Sequence, residues 1–515
     1  MRPTALRPEA ALAWLLLLGA AVRVVAGWGL GLGYGESYHF TSARHPSLGY
    51  LDHPPLFLWI TWLTMHLTGR ADALVLRAPF ILLFAGTTWL MFLLGRRLFG
   101  AWPGFYAALL LNLSAVFTLP VAGWVQADGP LMFFWLLTAL CLATIFFEPR
   151  LRRPLAWWAG AGIALGLALL AKYHAVFLVL GVATYVLTWR PALPRLRHPG
   201  PYLALALAMA VFSPVLIWNT QHGWISFLWQ GSRGVHPRGF RLDWLARSIG
   251  GQALWLLPWI WVPLLMELAR SFRRGRQDAR RWFLAWMAVG PIVTFTAVAV
   301  YAPLGFHFHW QAPGYLMLFP ALGETVDRLL RAGGRAARRT RQWLGASAAL
   351  TCLALVLVVT HATTGWWRSL GPRQLSAFLG EPEDPTLEGL DWQGLEEALA
   401  RHGLLHRKDV FVFSNRWFQS GKVDYALRGR KPVLNLHWDA RNLAFLNRTE
   451  NWLGKDGVLV TTARFREEAL RDLPEYFRQI TRLDEVTVSR GGRPEVTLYL
   501  YYCTDLRKPY PLPYP

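Results

Sequence analysis

Apolar residues in this chain run in blocks of about twenty, the length a helix needs to cross hydrocarbon, separated by short polar stretches. The blocks occupy residues 11 to 30, 77 to 95, 101 to 121, 129 to 147, 155 to 171, 174 to 189, 201 to 218, 249 to 268, 282 to 302, 310 to 327 and 343 to 362. The pattern predicts a polytopic α-helical membrane protein with about eleven to thirteen transmembrane helices. A further apolar stretch at 54 to 68 is short for a span and reads as an interfacial or re-entrant helix. The first block has the short basic lead of a signal peptide, yet it lacks a small-x-small cleavage site and Arg23 interrupts it. It is therefore expected to be retained as a span.

From about residue 363 the texture changes. Short apolar runs at Val410-Phe411-Val412-Phe413, Val433-Leu434-Asn435-Leu436 and Val458-Leu459-Val460-Thr461 have the form of buried strands. Amphipathic stretches near 394 to 404 and 463 to 473 lie among them. The expected organisation is a transmembrane domain over 1–362, with a first outer loop at 31–76, followed by a soluble α/β domain over 363–515.

Composition sharpens this picture. The 515 residues are 54% hydrophobic with mean hydropathy +0.27, which fits a membrane protein. The net charge of +22 does not point to nucleic acid, because the arginines cluster in short loops between apolar blocks and form no continuous basic face. Those loops alternate: Arg96 and Arg97; Arg150, Arg152 and Arg153; Arg190, Arg195 and Arg197; six arginines between 270 and 281; six between 328 and 341. By the positive-inside rule they face the cytoplasm of a cell (inner or plasma) membrane. The N-terminus is then expected inside, and the loops at 31–76, 121–129, 171–174, 219–248 and 301–309 outside with the C-terminal domain. Of the three cysteines, Cys141 and Cys352 fall in apolar blocks and Cys503 stands alone, so no disulfide framework is implied.

The candidate chemistry lies in the outer loops. Glu36 and Asp52 sit in the first of them, within Gly35-Glu36-Ser37-Tyr38-His39-Phe40 and Tyr50-Leu51-Asp52-His53-Pro54-Pro55-Leu56. Ionisable groups beside hydrocarbon are costly and usually functional, and a well-placed carboxylate accepts the proton of an attacking hydroxyl for about 10² to 10⁴ in rate. Asp128 opens the fourth block, where capping of the helix is the rival role. Lys172-Tyr173-His174 puts a cation on the outer side, where an anionic ligand accounts for it and snorkelling is the alternative. Asn219 and His222 fall in Trp218-Asn219-Thr220-Gln221-His222-Gly223-Trp224, followed by Arg233, whose planar fork suits phosphate. His307 and His309 precede Trp310. With His53 and His222 they lack the spacing of a zinc site, and sugar or phosphate contacts suit them better. No Gly-rich phosphate loop opens a helix of the C-terminal domain.

Taken in order, these elements resemble the GT-C class of polyprenyl-phosphate-sugar-dependent glycosyltransferases, the superfamily of protein O-mannosyltransferases and lipid A aminoarabinose transferases. The motifs carrying the resemblance are Glu36-Ser37-Tyr38 with Asp52-His53-Pro54-Pro55; Asp128-Gly129-Pro130-Leu131; Ala171-Lys172-Tyr173-His174; Trp218-Asn219 with His222-Gly223-Trp224; and His309-Trp310 with Pro313. They cover roughly residues 10 to 325, while the C-terminal domain matches in position and class. The resemblance implies a GT-C fold and transfer, with inversion, of a sugar from a polyprenyl-phosphate donor to a lipid, protein or polysaccharide acceptor outside the membrane. It makes a first-loop carboxylate, Glu36 or Asp52, the base. It assigns substrate contacts to His53, Asp128, Lys172, Tyr173, His174, Asn219, His222, Arg233 and His309. The family's first loop usually reads Asp-Glu, and here Gly35 stands where the Asp is expected. No cofactor is required, the alternative being a divalent cation held by Glu36 and Asp128 through oxygen. A lipid-linked-sugar transporter or flippase is a rival, opposed by ionisable groups at span ends and by the lack of an internal repeat. A non-catalytic sugar-lipid-binding protein is the other, supported by Gly35.

Overall fold

Seven helices are long and apolar enough to cross a membrane among the described residues, which in the computed structural model are 7–118, 120–234, 241–300, 309–367 and 384–511. They are Pro8–Trp28, Ala73–Phe99, Asp128–Phe147, Pro154–Ala171, Gly200–Gln221, Ala279–Val298 and Gly334–Thr364. Three bent helix pairs raise the number to ten if each is one span. One of these, Leu242–Leu256 with Pro258–Gln277, turns by 107°. The cause is Pro258, which disfavours helical geometry in the residue before it; Leu257 takes φ +68°. The sequence expectation of a polytopic helical fold is met, and the apolar stretch at 54–68 forms the thirteen-residue helix Leu56–Thr68. The block at 310–327, expected as a span, is instead two shorter helices, Ala312–Leu316 and Phe319–Arg331. Pro313 and Pro320 start them, and nearly every residue from 311 to 322 is buried. An apolar run can be core as well as lipid-facing surface, and hydropathy does not distinguish the two.

The chain divides into two units. The first comprises residues 1–24, 53–57 and 78–355. Its helices approach closely through small residues, as membrane helices do: a Cβ on Gly162 would lie 2.3 Å from the Ala204 carbonyl oxygen, and one on Gly166 2.6 Å from Val211 Cβ. Arg23, inside the first candidate span, is held beside the end of helix Ala101–Asn112. Its Nη2 donates to Asn112 Oδ1 at 3.1 Å, at the end of helix Ala101–Asn112, and its Nη1 to the Gly19 carbonyl at 2.7 Å. The guanidinium stacks over Phe84 at 4.4 Å, and a cation near a helix C-terminus is favoured by the helix dipole. Glu267, fully buried, accepts from Arg270 and Thr325 and pairs with Arg281, which also reaches Glu324.

The second unit comprises 25–52, 58–77 and 356–515. Its five-stranded sheet has the order β2-β1-β3-β5-β4, with β1 Val410–Ser414, β2 Val433–Asn435, β3 Asp456–Thr462, β4 Phe477–Arg490 and β5 Arg493–Leu506. β2, β1 and β3 are parallel and fully apolar in their middles, which is why sequence finds them. The antiparallel hairpin β4–β5 turns at Gly491-Gly492, both at positive φ, as a tight hairpin requires. Short helices Gly394–Arg401, Trp417–Ala426 and Ala463–Asp472 pack around the sheet.

Candidate functional site

In the first unit, three predicted residues gather around Asp128. Asp128 is the first residue of helix Asp128–Phe147 and is buried. Lys172 follows the end of helix Pro154–Ala171, where extended backbone (φ −159°) stops the helix and turns its side chain to the carboxylate. Lys172 Nζ donates to both Asp128 oxygens at 3.0 Å. His309 Nε2 lies 4.0 Å from Asp128 Oδ2, and the His53 ring also acts on Asp128 electrostatically. An ammonium has three donors, so Lys172 keeps one N–H beyond those given to Asp128. The other predicted residues of this unit make separate contacts. His174 stacks on Phe295 at 4.4 Å and meets Trp310 edge-on. Tyr173 shares a 2.8 Å hydrogen bond with Ser226 Oγ, and the Ser226 N–H donates to Asn219 Oδ1 at 3.2 Å. Asn219 Nδ2 donates in turn to the Val215 carbonyl, so its amide is engaged in shaping the helix end. His222 stacks on Trp218 at 4.1 Å. Arg233 closes helix Ile225–Gly234 with its side chain outside the described residues, as is the whole of His307.

Both first-loop carboxylates belong to the second unit, and their surroundings differ in kind. Helix Tyr34–Ala43 begins at Gly33, and Glu36 reaches back to accept the Gly33 N–H at 3.0 Å, an N-terminal capping arrangement. Arg77 then closes on Glu36 with a bidentate fork: Nε to Oε1 at 2.8 Å and Nη2 to Oε2 at 2.5 Å. Its remaining N–H groups go to the carbonyls of Gly27, Leu30 and Gly31. All the donors of a guanidinium are thus spent on one turn of chain. Asp52 Oδ2 accepts the Tyr38 hydroxyl at 2.9 Å. Burial, with the Asp52 charge second, holds the Tyr38 phenol well above its ordinary range, so it is a neutral donor.

The same unit ties this segment to the sheet. Arg44 forks onto Asp424 at 2.7 and 2.9 Å and reaches the Gly429 carbonyl. Lys422 Nζ donates to the Leu32 and Leu390 carbonyls, both at 2.6 Å, and burial pushes its ammonium down to about 8. Helix Trp417–Ala426 lies so near helix Tyr34–Ala43 that a Cβ on Gly421 would fall 2.6 Å from Tyr38 N. Sequence reasoning missed Arg77, Arg44, Lys422 and Asp424. Arg77 had a legible signal, a lone arginine at the outer end of a predicted span where the positive-inside rule disfavours one; the others had none. Among the described residues no group of three or more His, Cys, Asp or Glu side chains is placed to hold a metal ion.

Comparison with known proteins bears on the whole chain. Residues 52–218 match the family described as dolichyl-phosphate-mannose-protein mannosyltransferase. The chain is 25% identical over 294 residues to the lipid A galacturonosyltransferase RgtD of Rhizobium johnstonii, covering 55% of this chain and 58% of that protein. It is 25% identical over 319 residues to undecaprenyl phosphate-alpha-4-amino-4-deoxy-L-arabinose arabinosyl transferase 2 of Pseudomonas fluorescens, covering 58% and 54%. The crystal structure of ArnT from Cupriavidus metallidurans bound to undecaprenyl phosphate superposes with a TM-score of 0.64 over 95% of this chain and 98% of that one. Over the matched segments this chain is similar to membrane glycosyltransferases. At 16% identity the ArnT structure speaks for the fold alone. The archaeal oligosaccharyltransferase AglB of Archaeoglobus fulgidus, at TM-score 0.55 and 12% identity over 93% of this chain and 73% of its own, shows the same fold again. The aligned segments span little more than half of the two curated relatives. The family match begins at Asp52 and includes His53, Asp128, Lys172, Tyr173 and His174, while Glu36 and His309 lie outside it.

Proposed function

We propose that this chain is a membrane glycosyltransferase that moves a sugar from a polyprenyl-phosphate donor to an acceptor nucleophile outside the membrane, inverting the anomeric carbon. Asp52 is the base that takes the proton of the attacking group. Glu36 is a clamp: accepting a proton would break a buried bidentate pair with Arg77 and strand the guanidinium, and breaking a buried pair costs about 3–5 kcal/mol. Lys172, with His53 and His309 beside it, supplies donors to the lipid phosphate as it leaves, and preorganised donors at a developing anion are usually the largest catalytic contribution. Asp128 holds Lys172 in position. Tyr173, His174, Asn219, His222 and Arg233 serve the sugar and phosphate. The scheme routes no step through a cofactor. The N-terminus is placed in the cytoplasm and the second unit outside. The donor class follows the relatives, since undecaprenyl phosphate and dolichyl phosphate appear in the names of the proteins this chain resembles.

The observation that carries the reading is the buried Asp128–Lys172 pair with its flanking imidazoles, inside the segment that matches the family. The test is turnover by purified protein given a polyprenyl-phosphate sugar and a lipid acceptor, following release of polyprenyl phosphate. Turnover that disappears in Asp52→Asn and persists in Glu36→Gln supports the roles given; the reverse pattern exchanges them. Donor binding without turnover in the wild type leaves a sugar-lipid-binding protein, which Gly35 favours.

A further inference from the structure

Asp52 owes its orientation to a residue far away in sequence. A tyrosine hydroxyl has one proton to give and lone pairs to receive. The backbone N–H of Asn442 points at the Tyr38 oxygen at 3.1 Å and can only donate. Tyr38 must therefore turn its single proton elsewhere, and Asp52 Oδ2 at 2.9 Å is the acceptor. Asn442 holds the chain on the other side as well: its Oδ1 accepts the N–H of Leu51, the residue before Asp52, at 3.4 Å, and its Nδ2 is 3.5 Å from Ser42 Oγ. The residue before it, Arg441, sits at φ +50°, a conformation disfavoured for a side chain with a Cβ, and its guanidinium lies 3.7 Å over Trp417. Trp417 in turn packs edge-on against Tyr38 at 5.1 Å. Residues of the C-terminal segment thus fix the hydroxyl's place, its proton direction and the backbone entering Asp52.

We propose that Asn442 and Tyr38 are positioning residues for the base: Asn442 orients the Tyr38 hydroxyl, and Tyr38 orients the Asp52 carboxylate through its Oδ2. This rests on the reading of Asp52 as base. Tyr38 touches Asp52 and acts through it; the attacking group's proton passes to Asp52 alone, so no atom of Tyr38 is transferred. Among the described residues, Asp52 and Arg441 act on Tyr38 electrostatically, and the ring of His39, next to it on the same helix, lies 5.5 Å away.

The experiment measures kcat, donor KM and the pH profile of kcat for the full chain carrying Tyr38→Phe, Asn442→Ala or Asp52→Asn. A hydroxyl donated to a carboxylate favours its charged form. Tyr38→Phe is therefore expected to lower kcat tenfold or more, leave donor KM in place and shift the acid limb of the kcat profile to higher pH. Asn442→Ala, which keeps the N–H and loses the amide, is expected to lower kcat severalfold at unchanged KM, and Asn442→Asp to restore part of it by again offering an acceptor to Leu51. Wild-type kcat in Asn442→Ala, or an acid limb in Tyr38→Phe that stays at the wild-type pH, overturns the proposal. Should Asp52→Asn keep its activity, the base assignment itself fails, and that outcome is separate from either of the other two.

Discussion

Glu36 and Asp52 are equally buried, each 3% exposed, and come from the same outer segment, yet they sit in opposite chemical surroundings. Glu36 is gripped by a guanidinium on both oxygens and by a backbone N–H. Asp52 is held by a neutral phenol. Burial alone therefore says little about what a carboxylate can do. A charged partner stabilises the anion and opposes proton uptake, whereas a neutral donor orients the anion and leaves it able to act. Asp128 in the first unit follows the Glu36 pattern, matched by Lys172. Residues that look alike in sequence thus meet different donors in the fold.

The comparison breaks most visibly at Asp52. Asp52→Asn keeps shape and removes the base, so kcat should fall about 10² to 10⁴-fold with the melting temperature close to wild type. A large drop in melting temperature with residual activity intact would show Asp52 to be a clamp like Glu36. Next in size, Glu36→Gln should lose stability, up to about 3–5 kcal/mol for a broken buried pair, while turnover per folded molecule survives. Thermal unfolding followed beside activity separates the two effects. The Asp128–Lys172 pair is best read as a double-mutant cycle, Asp128→Asn and Lys172→Gln alone and together; coupling of about 0.5–3 kcal/mol is expected for groups in contact, with donor KM rising when Lys172 is lost.

Gly35 sharpens the comparison further, because a Cβ there meets nothing within 4 Å. Gly35→Asp should fold and leave turnover unchanged if Asp52 already serves as base; a marked gain in activity would mean that the chain lacks its principal carboxylate. The smallest effect expected is at Lys422. Its folded pKa of about 8 lies below the ordinary lysine value, so between roughly pH 8 and 10.5 the unfolded chain binds the extra proton. The destabilisation is full below the folded value, on the order of 3 kcal/mol at most, and is relieved as pH rises through this window. Lys422→Met should flatten the rise in melting temperature between pH 8 and 10.

Much of the architecture was legible. The apolar blocks marked the spans because hydrocarbon demands a continuous apolar helix, and Val410, Val433 and Val458 marked the central strands because strands covered on both faces are apolar throughout. The run at 310–327 misled, since apolar core and lipid-facing surface read alike. The hairpin β4–β5 went unnamed; in β4 the charged residues interrupt the apolar ones. The candidate site was legible as a set of residue types in polar loops, and Asp128, Lys172, His53 and His309 do gather. Arg44 with Asp424, and Tyr38 with Asn442, were beyond sequence reasoning, because each pair is separated by several hundred residues and neither partner carries a local pattern.

By itself the sequence determined that this is a helical membrane protein with a terminal α/β domain, and which loops carry acids, imidazoles and cations. These properties depend on composition and periodicity, which are local. Tertiary structure alone decided that residues 25–52 and 58–77 belong with the C-terminal sheet, that Arg77 occupies Glu36, and that Asp52 meets the Tyr38 phenol. A side chain's acidity and reach depend on what lies within a few ångströms of it, and those neighbours are chosen by the fold.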